Sequence, residues 1–295
     1  MPAVIYSVSL VLILTVIWSF SLYYLYLYLK IQKKRNKPTG NEEAKREHYS
    51  VIIPCYQEKK FILEKLENTA ALQFPSEQLS VFVVDGGSDD GTEEIAREFC
   101  QSRENFIFRR SERRGKISQL NLVLEEIGEG IVVITDVDGI LESDVLRKLE
   151  ELYRDSEIGC AGAYVIPADP LPEDAIFWQH QNAMRSMESR LGHSSVMVAV
   201  AYSFRREVFE LFPSDVIADD VYSAFAANTA GWKSLYCTSV RARELRSGSA
   251  WKGILGHKLR KLNANMRELK RFFPRLRTMR PPWRVMYMTK FIQSW

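Results

Sequence analysis

The sequence lacks the residue patterns that mark most protein metal centres and thiol sites. Its 295 residues include four cysteines and four histidines, and neither set shows the short spacing typical of metal ligands. Cys55 follows an apolar run, and a thiol nucleophile would need a nearby base that the sequence does not identify. We therefore expect reduced, structural cysteines, with no zinc site and no disulfide framework.

Charge is also absent from residues 4–29, a segment dominated by Val, Ile, Leu and Tyr. Such a segment is long enough to cross about 30 Å of hydrocarbon as a tilted helix. Tyrosines cluster at its far end as in an interfacial aromatic belt, and five basic residues follow between 30 and 37. The alternative, a cleaved signal peptide, would have a basic start and a shorter apolar run. We predict a single-pass transmembrane helix over residues 1–29, with the following chain in the cytoplasm.

Acidic residues are scarce in the C-terminal segment, where fifteen Lys and Arg between 241 and 290 are accompanied by only Glu244 and Glu268. Apolar side chains recur there every three or four residues and define one helical face. They are Trp251, Leu255, Leu259, Leu262, Met266, Leu269 and Phe273. We predict a basic amphipathic helix in a membrane interface, with lipid rather than nucleic acid as its partner. The alternative is that its apolar face packs on the main domain.

Three apolar runs in the N-terminal half each end in a polar loop that carries acidic residues. The runs are 51–53, 81–84 and 131–134, and helical patterns follow at 61–72, 93–100 and 144–153. Strands that alternate with helices predict a parallel, doubly wound α/β sheet. Right-handed crossovers then place the three polar strand ends on one edge, where open α/β sheets bind their ligands.

The third loop carries the strongest chemical signal, because Asp136 and Asp138 directly follow a buried strand. Two carboxylates at this spacing can hold a hard divalent cation, and such a cation would itself bind phosphate oxygens. The position at the carboxyl edge of the sheet favours a ligand site over two solvated surface acids.

Six stretches between residues 50 and 236 resemble, in order, the motifs of the family 2 inverting glycosyltransferases of the GT-A fold. Among the family patterns are V-I-I-P-x-Y-N-E, V-D-D-G-S-x-D-G-T, G-K-x-x-A-L-N and D-x-D. The matching stretches are 50–58, 83–92, Gly115-Lys116 with Leu120-Asn121, 136–139, 201–206 and 217–220. The resemblance implies a Rossmann-like domain over residues 49–240, with a mostly parallel sheet and helices on both faces. A linker (30–48) would precede it, and the basic segment (241–295) would follow.

The resemblance also implies a reaction: transfer of a hexose-type sugar from a UDP- or GDP-sugar to an acceptor hydroxyl in one inverting displacement. Asp220 would be the general base, and Asp136 and Asp138 would hold Mn²⁺ or Mg²⁺ on the diphosphate. The donor would be bound by Pro54, Tyr56, Glu58, Asp85, Lys116 and Asp136. Lys258 and Arg260 of the basic segment are possible diphosphate contacts. Because this segment is predicted to adjoin the membrane, a lipid-linked or membrane-associated acceptor is expected.

Some positions depart from the family pattern or have a second interpretation. Gly86 stands where relatives often carry a second acid, which leaves the nucleotide open. The Q-x-x-R-W motif of many processive synthases is absent, so transfer of a single sugar is favoured over a processive polysaccharide synthase. Lys116 would equally suit a solvated loop, and one residue of the Asp219-Asp220 pair would suit a helix N-cap. Arg205 and Arg206 are at least as well suited to a structural role.

Two other classes of protein remain as alternatives. A nucleotidyltransferase would need a glycine-rich loop after the first strand, where this chain has residues 54–59 without glycine. A non-catalytic, membrane-tethered nucleotide-sugar-binding protein would be favoured by loss of the acidic site residues, and Asp136, Asp138 and Asp220 are all present.

Overall fold

The computed structural model describes residues 2–33, 47–168, 172–194, 197, 200–246, 251–279 and 281–293. Eight strands form one sheet in the order β3-β2-β1-β4-β7-β6-β8-β5. The strands are β1 (Tyr49–Cys55), β2 (Leu79–Asp85), β3 (Phe106–Arg110), β4 (Ile131–Thr135), β5 (Gly139–Leu141), β6 (Ile158–Pro167), β7 (Ala201–Arg205) and β8 (Lys233–Glu244). The three apolar runs identified in the sequence are β1, β2 and β4.

The first half of the sheet is parallel, as the sequence predicts. Strand β1 lies between β2 and β4 and is parallel to both, and β3 extends the sheet beyond β2. The direction changes at β7, which is antiparallel to β4 and to β6. The polar ends of β1, β2 and β4 therefore share one edge, and β7 lies beside β4 in the opposite direction.

In the part of the chain that the structure describes, ten α-helices accompany the sheet. They are α1 (Pro2–Ile17), α2 (Tyr23–Lys33), α3 (Ile62–Ala70), α4 (Thr92–Gln101), α5 (Lys116–Leu124), α6 (Val145–Tyr153), α7 (Pro172–Arg190), α8 (Asp219–Thr229), α9 (Trp251–Phe272) and α10 (Pro281–Gln293). The predicted helices at 61–72, 93–100 and 144–153 correspond to α3, α4 and α6.

Each face of the sheet has its own hydrophobic core. Successive side chains of a strand point to opposite faces, so Val51 and Ile53 of β1 enter one core and Ile52 enters the other. Helices α3, α4 and α6 cover the first core. The second core is covered by α5 and α8, together with side chains of α2, α7, α9 and α10.

The apolar N-terminal segment is not one regular helix. Helix α1 has 16 residues, and a π-helix (Trp18–Leu22) separates it from α2. Within the described residues, no helix combines the length and the apolar character needed to cross a membrane. The predicted transmembrane helix over 1–29 is therefore not confirmed. Part of its apolar surface serves the protein interior instead, because Tyr23 and Leu27 are fully buried in the second core.

The C-terminal segment also contributes to the fold. Strand β8 continues to Glu244, beyond the predicted domain boundary at 240. On α9, Leu269 is buried in the second core and Leu259 is about half exposed, as is Phe273 directly after the helix. Trp283 of α10 is 2% exposed. The apolar face therefore packs on the main domain over its second half, which was the alternative prediction. The side chains of Trp251, Leu255 and Lys258 and most of the predicted linker lie outside the described residues.

Polar contacts join the first and last helices through α7. The Tyr23 hydroxyl donates to Glu188 Oε1 at 2.7 Å, and Lys290 Nζ lies 3.1 Å from the same oxygen. The Trp18 indole donates to Thr289 Oγ1 at 3.0 Å. Segments from opposite ends of the sequence thus meet on the second core.

Candidate active site

The loops after β1 and β2 begin side by side, because Cys55 pairs with Asp85 in the sheet register. Gln57, just beyond β1, has a φ of 56° and is the one described non-glycine residue in the left-handed region. That conformation is costly for an L-residue. It is held by a hydrogen bond from the Gln57 backbone to Ser88 Oγ at 2.9 Å, and a further bond joins Glu58 N to Thr92 Oγ1 at 2.8 Å. The two loops are therefore fixed to each other.

Asp85 and Pro54, two of the predicted donor-binding residues, are buried where these loops begin. Asp85 is 0% exposed, and its Oδ2 accepts hydrogen bonds from Gly87 N at 2.7 Å and Ser88 N at 2.8 Å. Its Oδ1 accepts the Ser88 hydroxyl at 2.6 Å. Pro54 is buried within β1, whereas Tyr56 is 45% exposed at the edge. Both carboxylate oxygens of Asp85 therefore accept hydrogen bonds from the turn that follows β2.

Lys116 lies between two carboxylates at the sheet edge. Its Nζ is 2.8 Å from Asp136 Oδ1 and 2.9 Å from Asp219 Oδ2. The Tyr202 hydroxyl on β7 donates to the same Asp219 oxygen at 2.7 Å. Burial disfavours the charge on Lys116, but the two carboxylates outweigh it and raise the Lys116 pKa. Lys116, Asp136 and Asp219 form what we name the inner ion cluster, and the solvated-loop interpretation of Lys116 is wrong.

The Asp219-Asp220 pair opens α8, and the two side chains have different surroundings. The N-cap is Ala218, with no side-chain capping bond, so neither aspartate has the predicted capping role. Asp219 is 4% exposed and held by Lys116 and Tyr202. Burial raises the pKa of Asp220 to about 6, and the neighbouring Asp219 charge adds to the shift while Lys116 opposes it. Asp220 is thus the member of the pair suited to exchange a proton near neutral pH.

A second cation, Arg246, lies just beyond β8 and was not identified from the sequence. Its guanidinium is 2.5 Å from Glu58 Oε2 and 3.5 Å from Asp138 Oδ2. Its side chain is 52% exposed. We name Arg246, Glu58 and Asp138 the outer ion cluster. The cluster forms because β5 begins directly after Asp138 and pairs with the end of β8, Gly139 opposite Glu244.

One basic residue of α9, Lys261, acts on this site through its charge. It lowers the Asp220 pKa, and it opposes the rise that burial causes in the Glu244 pKa. The sequence indicated Lys258 and Arg260 instead. Arg260 is exposed on α9, and the Lys258 side chain lies outside the described residues. Arg246 and Lys261 are thus two further cations near this site, and the diphosphate contacts predicted for Lys258 and Arg260 stay predictions.

A buried lysine, Lys65 of α3, supports the turn that carries Asp136 and Asp138. It is 0% exposed, and its Nζ donates to Thr135 Oγ1 at 2.7 Å and to Gly139 O. Burial lowers the Lys65 pKa to about 7, although the charges of the two aspartates act in the other direction. The lysine thus joins the two ends of the turn, a role that an amphipathic helix pattern does not reveal.

The carboxylates at this turn fit a cation shared with a bound phosphate. Asp138 already attracts the Arg246 guanidinium, and Asp136 is oriented by Lys116. Within the described residues, no three His, Cys, Asp or Glu side chains are grouped to hold a metal ion alone. Mg²⁺ is usually bound by one or two carboxylates together with substrate phosphates. The donor set therefore suits a metal that arrives with a diphosphate.

Other residues singled out in the sequence are structural. Arg205 donates to the Tyr153 and Ile158 carbonyl oxygens at 2.6 and 2.9 Å, and Arg206 donates to the Ile127 carbonyl at 2.8 Å. Cys55 is 2% exposed, and burial raises its pKa. The structural interpretations of the arginine pair and of this thiol are therefore confirmed.

Comparison with known proteins agrees with this architecture. Mannosyltransferase PcManGT from Pyrobaculum calidifontis, solved with GDP-Man and Mn²⁺, superposes with a TM-score of 0.77 at 24% identity, covering 96% of this chain and 80% of that one. TarS (1–349) from Staphylococcus aureus, solved with UDP-GlcNAc, gives 0.62 at 15% identity, covering 83% and 73%. These likenesses show the GT-A-like α/β fold that the sequence predicts.

Sequence relatives give the same indication. Glycosyltransferase AglE from Haloferax volcanii is 27% identical over 196 residues, which are 65% of this chain and 64% of that protein. The poly-beta-1,6-N-acetyl-D-glucosamine synthase of Staphylococcus aureus is 24% identical over 147 residues, 50% of this chain and 35% of that protein. The chain thus spans less than two thirds of these relatives. Residues 50–212 match the model of glycosyl transferase family 2. Because that match covers more than half of the sequence, the chain belongs to glycosyl transferase family 2.

Proposed function

We propose that this chain is an inverting glycosyltransferase that moves one sugar from a nucleotide-diphosphate sugar to an acceptor hydroxyl. The observation that carries the proposal is Asp220, a carboxyl group with a pKa near 6 beside the inner ion cluster. An alcohol is a poor nucleophile at neutral pH, so a carboxylate within reach of its proton is the natural base. With that pKa, Asp220 is about nine-tenths ionised at pH 7.

The donor side of the site must stabilise the negative charge that develops on the departing nucleoside diphosphate. Positive groups fixed in advance at such a position are the most effective electrostatic catalysts. Lys116 and Arg246 bring two positive charges to the edge beside Asp136 and Asp138. These two aspartates would hold a divalent cation, which when bound neutralises charge on the diphosphate. Tyr56, exposed after β1, offers an aromatic surface to the nucleotide.

The structural relatives support the donor class and the metal. PcManGT was solved with GDP-Man and Mn²⁺, and TarS with UDP-GlcNAc. A nucleotide-sugar donor and a Mn²⁺ or Mg²⁺ ion are therefore part of the proposal for this chain.

The acceptor is proposed to be lipid-linked or membrane-associated, with the reaction at the cytoplasmic face. The support is the apolar surface of α1 and α2, where several large side chains are at least half exposed. They are Tyr6, Leu10, Ile13, Leu14, Leu25, Tyr28 and Leu29. Apolar surface of this extent marks a partner or membrane surface rather than an ordinary solvated face.

Asp220→Asn tests the proposed base. We expect kcat for sugar transfer to fall 10²- to 10⁴-fold, with the donor dissociation constant changed less than twofold. In the parent protein kcat/KM should be close to its full value above pH 7, half of it near pH 6, and fall about tenfold per unit below about pH 5, because protonated Asp220 cannot accept the acceptor proton. Initial rates from pH 4.5 to 8 measure kcat and kcat/KM, and calorimetric titration with the donor measures its dissociation constant.

Asp215→Asn is the matched control, because Asp215 is an exposed carboxylate of the preceding loop that pairs with Arg271 at the surface. Asp215→Asn should leave kcat and the donor dissociation constant unchanged. An equal loss of donor affinity and kcat in Asp220→Asn would show that Asp220 holds the donor instead of activating the acceptor.

A further inference from the structure

A pocket of about 490 Å³ opens between the ends of β2 and β3, lined by residues other than those of the two ion clusters. Its lining is Gly86, Gly87, Arg110, Ser111, Glu112 and Arg114. Such a volume accommodates a small organic ligand. The charged residues at its rim have no part in the sugar-transfer chemistry described above, yet they lie on the same sheet edge.

The strand end of β2 supplies no free carboxylate to this pocket. Asp85 is 0% exposed, and both of its carboxylate oxygens accept hydrogen bonds from Gly87 and Ser88. At position 86, a Cβ atom would lie 3.0 Å from Gln119 Nε2. That amide is fixed, since it donates to Cys55 O at 2.7 Å and to Val84 O at 2.8 Å. A side chain at position 86 would therefore require the Gln119 amide to shift from these hydrogen bonds.

A carboxylate is supplied instead from the β3 loop, by Glu112. Ser111 anchors that loop, because its backbone nitrogen donates to Asp85 O at 2.8 Å and its hydroxyl donates to Arg113 O at 2.7 Å. Glu112 and Arg114 are exposed on either side of this anchor. Arg110 is partly engaged by Glu93, at 3.5 Å. Glu112 and Arg114 are thus placed to meet a ligand in the pocket.

The same loop connects the pocket with the catalytic groups. Glu112 lies four positions before Lys116, whose ammonium contacts Asp136. Such a stretch reaches at most ~14 Å when extended. Glu112 is therefore within reach of the base of a nucleoside diphosphate whose phosphates lie at Lys116 and Asp138.

Guanine is the base whose edges complement a carboxylate and a guanidinium together. It presents two adjacent acceptors, O6 and N7, which an arginine binds with two parallel hydrogen bonds. It also presents two adjacent donors, N1–H and the N2 amine, which match the two oxygens of a carboxylate. Uracil offers a single N–H between two carbonyl oxygens, so a facing carboxylate would gain one bond and oppose two acceptors.

We infer that the donor nucleoside is guanosine, with Glu112 accepting from N1–H and the N2 amine and Arg114 donating to O6 and N7. The inference rests on the proposed function, since it assigns the base of that donor. Glu112 is accordingly a specificity-determining residue, supplied from the loop after β3 rather than from position 86.

The test is a calorimetric comparison of GDP, IDP, XDP and UDP binding to the full chain with Mn²⁺. The parent protein should bind GDP about tenfold more tightly than IDP, which lacks only the N2 amine, and at least thirtyfold more tightly than UDP. Glu112→Gln should weaken GDP about thirtyfold and should bind XDP more tightly than GDP. The reason is that a carboxamide can accept from N1–H and donate to the O2 of xanthine.

Glu104→Gln is the control, because Glu104 is an exposed carboxylate just before β3, at the opposite end of that strand. It should keep the parent order of affinities. Equal binding of UDP and GDP by the parent protein, or unchanged GDP binding in Glu112→Gln, would overturn the inference and leave the proposed function standing. Absence of binding by every diphosphate would overturn the proposed function itself. The GDP-to-IDP ratio of the parent protein needs no variant, so the inference stays testable even if Glu112→Gln does not fold.

Discussion

The two ion clusters at the sheet edge have the same composition, one cation between two carboxylates, but different surroundings. In the inner cluster Lys116 is 28% exposed, and its partner Asp219 is 6% exposed and further held by Tyr202. In the outer cluster Arg246 is 52% exposed and lies 3.5 Å from Asp138. Ion pairs gain strength as water is excluded, and an unpaired buried charge is costly. The inner cluster therefore fixes the site, and the outer cluster can open to admit a ligand.

Removal of the inner cation should have the largest effect on stability. Lys116→Met leaves Asp136 and Asp219 without their shared cation. We expect a loss of about 3 kcal/mol in the free energy of unfolding, the lower end for a broken buried pair because Lys116 is partly exposed. The loss should shrink as pH falls, since unpaired buried carboxylates have raised pKa values and become neutral by taking up protons. Urea unfolding at pH 5 and 7.5 measures it.

Lys148→Met is the matched control, because Lys148 also lies between two carboxylates, Glu142 at 2.9 Å and Asp144 at 2.8 Å. Those partners are nearly half exposed. Surface pairs of this kind contribute about 0–1 kcal/mol, so this variant should change stability by less than 1 kcal/mol. Equal losses in the two variants would remove the distinction between a buried and an exposed arrangement.

Loss of the tyrosine that supports the inner cluster should have an intermediate effect. Tyr202→Phe deletes a hydrogen bond to the charged Asp219 and leaves the ring in place. We expect about 1.5 kcal/mol of destabilisation, typical of a hydrogen bond to a charged group. Unfolding of the double variant Lys116→Met, Tyr202→Phe completes a double-mutant cycle. Strict additivity would show that Tyr202 and Lys116 act on Asp219 independently.

Removal of the outer cation should have the smallest effect on stability and a visible effect on metal binding. Arg246→Gln should cost less than 1 kcal/mol of unfolding free energy. It should also bind Mn²⁺ about two- to fivefold more tightly without nucleotide, because Asp138 loses a competing positive charge. Titration followed by electron paramagnetic resonance measures free Mn²⁺. Arg243→Gln, on the exposed side of β8, should leave the affinity unchanged, and an unchanged affinity in Arg246→Gln would mean that Arg246 does not compete for Asp138.

The sequence predicts the carboxylates after β4 better than it predicts the arginine that meets them, and the reason is sequence distance. Asp136 and Asp138 follow a buried apolar strand, so local pattern alone places them at the edge. Arg246 lies near Asp138 because β5 pairs antiparallel with β8, and no local sequence pattern predicts that pairing. Strand β3 was missed for a related reason, because it ends in Arg109 and Arg110 and is half-buried. The N-terminal segment is ambiguous for a different reason, since a long apolar run looks alike whether it meets lipid or a protein core.

The contact between Trp18 and Thr289 has a consequence for the timing of biosynthesis. The two residues are 271 positions apart, and ribosomes add roughly 5–20 residues per second. Synthesis of α10 therefore follows that of the N-terminal helices by between about a quarter of a minute and a minute. During that interval Tyr23 and Leu27 of α2 lack the α10 side chains that complete their hydrophobic core in the finished protein.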